Sequence, residues 1–228
     1  MKDLEIKYTE ITGGSAIPYC VVEGDLPGAS EDWANIRASM DIETSGFQPK
    51  DSKIALVIVQ PIFPPELGLP KNLVFLVRRP TDDPLNLKAL MANPKPKLFH
   101  QVSFDINFIK DHWDLGVNDL NGLRCTLVAQ KVLDPKKDLC MRNLKTLVNY
   151  WCDIEIPKGK ATSNWFAPEL TEQQIIYAIE DVHFLGPIWQ EVGKRLDAGQ
   201  RAKVIKTCEY LPSFMEHRED GIKNPYVH

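Results

Sequence analysis

The sequence predicts an α/β fold, a mixed β-sheet flanked by helices with a C-terminal helical tail. Two observations carry this. Strand-like apolar runs come first, and short apolar runs then alternate with segments of helical period. That order builds a sheet and covers it. At 228 residues the chain is long enough for one well-buried core and rather short for two domains. A single domain over residues 1–228 is expected, with a core of about 18–196 and a tail of about 197–228.

Strands are expected at Cys20-Val21-Val22, Ala38 to Ile42, Ile54 to Val59 and Leu73 to Val77, where apolar residues alternate or run on. A short helix from Leu85 to Met91 must end before Asn93-Pro94, because proline disfavours helical geometry in the residue before it. A strand around Leu98-Phe99-His100 leads into a helix bearing Asp105, Phe108 and Ile109. Strand-like Leu123-Arg124-Cys125 precedes a helical Thr126 to Leu133, and Leu144, Leu147, Val148 and Trp151 recur at helical spacing as a core face. The longest helix starts at Thr171, where Thr171-Glu172-Gln173-Gln174 fits a capping box. Ile175, Ile179 and Val182 then face the core while Tyr177 and Asp181 share another face. Gly186-Pro187 should kink or break this helix, since Pro187 has no N–H to give residue 183. A helix plus an extended tail is expected after about Ala198.

Composition narrows the function. With 43% hydrophobic and 25% charged residues the chain reads as a soluble globular protein. The longest apolar run, Ile54 to Val59, is too short to cross a bilayer. Met1 to Lys7 lacks the apolar core of a signal peptide. Five cysteines, odd in number and never spaced Cys-x-x-Cys, suggest neither a disulfide framework nor a zinc ribbon. A cytoplasmic protein with no membrane partner is expected. Lys plus Arg is 27 against 31 Asp plus Glu, a formal net charge of −4. Tracking long nucleic acid normally needs a broad basic stripe, whereas a short oligonucleotide needs only a few positive contacts.

Three separated patches carry the chemistry: Asp41 and Glu43, then Asp105, then Tyr177 and Asp181. A strand points residues i and i+2 to one face, so Asp41 and Glu43 can grip the same metal pair. A helix stacks residues i and i+4, so Tyr177 and Asp181 converge as well. Hard cations such as Mg²⁺ prefer oxygen ligands, and two of them a few ångströms apart need several carboxylates. Taken singly, an Asp-x-Glu is an ordinary solvated strand face and an Asp near a helix start an ordinary cap. The ordered set is the signal.

This constellation resembles the DEDD superfamily of 3′→5′ exonucleases, in the subclass whose tyrosine stands four residues before the last aspartate. The run Ser163-Asn164-Trp165, Pro168-Glu169-Leu170-Thr171 and Gln174 to Ala178 is similar to ribonuclease D-type sequences, with Asn164 in place of the usual aspartate. The resemblance covers about residues 20 to 195. Gly24-Asp25-Leu26-Pro27, Glu43 to Pro49 and Lys206 to Pro212 resemble the short stand-alone nano-RNase C group of that superfamily. A Pro-rich insertion, Pro61-Ile62-Phe63-Pro64-Pro65, follows an early strand and could alter substrate choice.

The resemblance implies a ribonuclease H-like fold and a two-metal hydrolase using Mg²⁺ or Mn²⁺. Asp41, Glu43 and Asp181 would hold the metal that activates water, and Asp41 with Asp105 would anchor the second. Tyr177 would orient the nucleophile. The substrate would be RNA dinucleotides or other single-stranded 3′ ends, and the assembly a ring-like homo-octamer using the tail. Phe47 stands where that group places a leucine that wedges between two terminal bases; the bland reading packs it under the turn. Thr44 and Gly46 would let backbone approach the terminal nucleotide, glycine permitting close contact. Lys158 would pin a phosphate or be a solvated loop charge. His100 would contact substrate or simply bond a neighbouring group, and Trp165 would pack. The alternatives are ribonuclease D-like trimming of longer RNA, a DNA-active relative, and a pseudo-exonuclease scaffold.

Overall fold

Hydrophobic alternation organises the sheet. A computed structural model describes residues 4–136, 143–157 and 163–221. The strands are β1 (Lys7–Glu10), β2 (Ala16–Glu23), β3 (Arg37–Thr44), β4 (Ile54–Ile62), β5 (Val74–Arg78), β6 (Lys97–Phe99) and β7 (Leu123–Cys125). They form one sheet in the order β1-β2-β5-β4-β3-β6-β7. The β1/β2, β5/β4 and β4/β3 pairs are antiparallel, and the β2/β5, β3/β6 and β6/β7 pairs are parallel. Ile54 to Val59 and all of β5 are buried, so these continuous apolar runs are interior strands covered on both faces. In β3 the pattern alternates. Ala38, Met40 and Ile42 are buried in the core, while Ser39, Asp41 and Glu43 point to the other face.

The helices are α1 (Ser30–Trp33), α2 (Leu85–Ala92), α3 (Ser103–Trp113), α4 (Thr126–Leu133), α5 (Leu144–Cys152), α6 (Glu172–His183), α7 (Leu185–Arg195) and α8 (Ala198–Glu219). Helix α6 lies across β3 and β4, and α8 covers the β7 edge of the sheet and packs on α4. Thr171 caps α6 as its spacing predicts: its hydroxyl accepts from the Gln174 amide at 3.3 Å, and the Gln174 side-chain oxygen accepts from the Thr171 amide at 3.0 Å. The chain breaks at Phe184, between α6 and α7. Pro187 then falls in the first turn of α7, where an absent N–H costs nothing.

Three features depart from expectation. Strand β1 has only Thr9 buried, so it lacks an apolar signature and owes its form to pairing Lys7 with Tyr19 and Glu10 with Ala16. The single turn of α1 is too short to show a period; it buries Trp33, whose ring lies 5.5 Å from Phe63 and 5.6 Å from Phe75. The Pro-rich segment thus contributes Phe63 to an aromatic cluster. Finally, α8 has 22 residues against 12 in α6, so the helix after Thr171 is not the longest, and α8 continues through Pro212 to Glu219 with no extended part up to that point.

Candidate active site

Asp41 and Glu43 leave β3 on the face that α6 crosses, and Asp181 comes down from α6. One carboxylate oxygen from each of the three lies within 4.8 Å of the others. Asp105, the third residue of α3, lines the same cleft of about 500 Å³ together with Phe47, His100 and Tyr177. Gln101 makes this possible. It takes a left-handed backbone (φ 59°) between β6 and α3, turning the chain so that the first turn of α3 points at the acids. Asp105 is only 2% exposed, and its Oδ1 has no hydrogen-bond partner.

Burial and mutual repulsion dominate the electrostatics. Burial, reinforced by Asp105, holds the Asp41 carboxyl well above the usual carboxylate range. Burial and then the charges of Asp41, Asp181 and Asp105 push Glu43 up to about 10. Burial raises Asp105 to about 8. Asp181 is raised by burial and by Asp41, against a hydrogen bond from Tyr177 and the charge of Lys145. The Tyr177 phenol is itself pushed up by burial and by Asp181, so it is a neutral hydrogen-bonding group at ordinary pH. An all-oxygen donor set, crowded like charges and an orphaned buried oxygen on Asp105 are what a hard divalent cation would satisfy. The residues present fit such an ion.

Tyr177 is held from behind. Arg78 donates to the carbonyls of Pro168 at 2.9 Å and Ala167 at 2.6 Å, anchoring the loop that carries Trp165. Trp165 is 3% exposed, with its ring 6.0 Å from Tyr177. Asn164 is exposed, its side-chain oxygen accepting from the Phe166 amide at 3.2 Å.

The remaining predicted contacts divide. Phe47 is 83% exposed at the cleft, so it does not pack beneath the turn. His100 lines the cleft with Nδ1 2.8 Å from the Thr126 hydroxyl. Thr44 and Gly46 do not line it. The Thr44 hydroxyl donates to the Gly46 carbonyl at 2.6 Å, and a Cβ on Gly46 would meet Ser52 Oγ at 2.5 Å. A side chain at Gly46 would therefore force the Ser52 hydroxyl to move. Lys158 lies outside the described residues. Sequence reasoning missed Gln101, Phe104, Asn143 and Lys145 as cleft residues. Lys145 is the most consequential: its ammonium sits 5.7 Å from the Tyr177 ring centroid. Asn143 was recoverable, since its side chain caps α5 by accepting from the Thr146 amide at 2.9 Å. No helix of the described residues is long and apolar enough to cross a membrane.

Fold and cleft together define a hydrolase built around a carboxylate cluster. A family model described as 3′-5′ exonuclease matches residues 31–197, and the chain belongs to that family. Ribonuclease D of Serratia proteamaculans is 36% identical over 67 residues, which are 29% of this chain and only 18% of that enzyme. Among solved structures, Brucella melitensis NrnC is similar with a TM-score of 0.75 at 21% identity, covering 92% of this chain and 98% of that one. It has also been solved with bound Mg²⁺ and bound to pGG. Escherichia coli RNase D is similar with a TM-score of 0.67 at 19% identity, covering 86% of this chain and 50% of that one. These structural likenesses establish the ribonuclease H-like fold that goes with membership of the 3′-5′ exonuclease family.

Proposed function

We propose that the enzyme is a divalent-metal-dependent 3′→5′ exoribonuclease that degrades dinucleotides and short oligoribonucleotides to nucleoside 5′-monophosphates. The observation that carries this is Phe47, an 83% exposed aromatic ring at a cleft lined by four acids. An apolar ring kept in water beside a charged cluster is suited to separate or stack two terminal bases. The pGG bound to the Brucella protein and the net charge of −4 support a short substrate. Asp41, Glu43 and Asp181 would hold one Mg²⁺ or Mn²⁺, and Asp41 with Asp105 a second. Bound there, the ions supply neutralisation of phosphate charge and a water of lowered pKa.

The chain's own groups do the positioning. Tyr177, hydrogen-bonded to Asp181, orients the attacking water; as a half-buried neutral phenol it is not the base. Lys145 places a positive charge beside the acids, where a phosphate would sit. We further propose that the enzyme works as a homo-octamer.

Incubating pure protein with labelled RNA of two, five and twenty nucleotides, plus Mg²⁺ or Mn²⁺, tests the function. Dinucleotides should be cleaved fastest per site. Faster cleavage of the twenty-nucleotide RNA would favour ribonuclease D-like trimming, faster cleavage of matched DNA a DNA-active enzyme, and no cleavage of any substrate a scaffold role.

A further inference from the structure

A second groove lies beside the catalytic cleft. It has a volume of about 470 Å³ and runs between the start of α3 and the C-terminal half of α8. Gln101 and Phe104 line both cavities, so groove and cleft share a wall. The far side of the groove is Leu211, Phe214, Met215 and Arg218 of α8. Phe214 is 36% exposed, and the Arg218 guanidinium lies over its ring at 6.0 Å. Arg218 forms no ion pair among the described residues. Glu219 also lines the groove, but its carboxylate is paired with Lys110 at 2.6 Å, so it does not offset the charge of Arg218.

An exposed aromatic ring beside a free guanidinium is a general pattern for a base with its phosphate. The 3′ end of the strand must occupy the acids, so whatever leaves the cleft along this groove lies on the 5′ side. We propose that this groove is a subsite for the nucleotide 5′ to the pair in the catalytic cleft, its base stacking on Phe214 and its phosphate meeting Arg218. The proposal rests on the short-RNA reading above. It makes α8 a determinant of substrate length: a dinucleotide ends before the groove, whereas three or more nucleotides enter it.

Equilibrium binding separates the two ideas. In an Asp41→Asn background with Mg²⁺, where RNA should survive, labelled dinucleotide and pentanucleotide are titrated against Phe214→Ala and Arg218→Gln. Both changes should weaken pentanucleotide binding about tenfold and leave dinucleotide binding and melting temperature unchanged. Arg218→Lys should recover part of the loss. Equal weakening for both lengths, or no weakening for either, would overturn the proposal. So would a fall in particle mass by light scattering, which would make the groove a contact between copies of the chain. Should the otherwise native enzyme cleave no RNA, the functional reading falls while the binding difference still decides the groove.

Discussion

Asp41 is the residue on which the site turns, because it repels or is repelled by each of Glu43, Asp105 and Asp181. Asp41→Asn removes that charge without changing shape. It should cut cleavage by more than about a hundredfold, as losing a preorganised charge does, while the metal-free protein melts no earlier than the parent. Near-normal turnover in this variant with metal bound would sink the carboxylate-cluster mechanism. Phe47 poses the complementary case. Its exposed ring contributes little to folding, so Phe47→Ala should lower dinucleotide kcat/KM by about ten- to a hundredfold and move the melting temperature hardly at all. A variant that melts far earlier yet cleaves dinucleotides normally would show Phe47 to be structural.

Helix α6 is the element that converts spacing into a site. Its inner face buries Ala178, Ile179 and Val182, and this seats Tyr177 and Asp181 over β3. A second tie comes from Glu180, whose carboxylate accepts from the Thr12 amide at 2.9 Å, fastening the helix to the β1–β2 hairpin. The N-terminus depends on the Thr171 cap. Thr171→Ala should cost about 1 kcal/mol, a drop of roughly 2–4 °C in a chain of this size by scanning calorimetry. Thr171→Ser should restore most of it. Equal melting of all three proteins would show the cap to be energetically idle. The interruption expected from Gly186-Pro187 falls slightly earlier, at Phe184 between α6 and α7, where Phe184 and Leu185 are both buried.

For the whole molecule, the acid cluster sets the response to pH and metal. Glu43 and Asp105 titrate near 10 and 8 in the folded protein, above their ordinary values near 4. The folded metal-free state therefore binds protons that the unfolded chain has released. That stabilisation is full below the ordinary carboxylate range and is lost as pH rises toward 8 to 10. Lys97 acts in the opposite sense: burial lowers it to about 7, so its contribution improves as pH rises above 7. Comparing melting with and without Mg²⁺ isolates the acids, since Lys97 is common to both. Mg²⁺ should raise the melting temperature, by about 2.7 kcal/mol of stability at a hundred times its Kd, and the rise should be larger at pH 8 than at pH 6. A rise that shrinks with pH would refute a carboxylate site. On assembly, Val204 and Cys208 of α8 are buried within the chain itself, while Trp189, Leu196 and Ile205 line an open cavity of about 530 Å³ between α7 and α8. Light scattering should return about eight times the 25.9 kDa chain mass; a monomer at micromolar concentration would count against the ring.

The identities and order of the acids, the Tyr177–Asp181 turn, the Thr171 cap and the interior strands could all be read along the chain. Each is a relation between near neighbours, governed by a period of two or 3.6 residues. Only the tertiary structure decided the rest. Sheet order puts β3 between β4 and β6, the crossing of α6 completes the acid cluster, and the left-handed Gln101 aims Asp105. Lys145 enters the cleft although nothing in its own spacing points there. Strand β1 forms on a polar sequence because β2 offers it backbone partners, and Phe47, an apolar residue, stands in water at the cleft. These depend on which distant segments are packed together, and local periodicity carries no information about that.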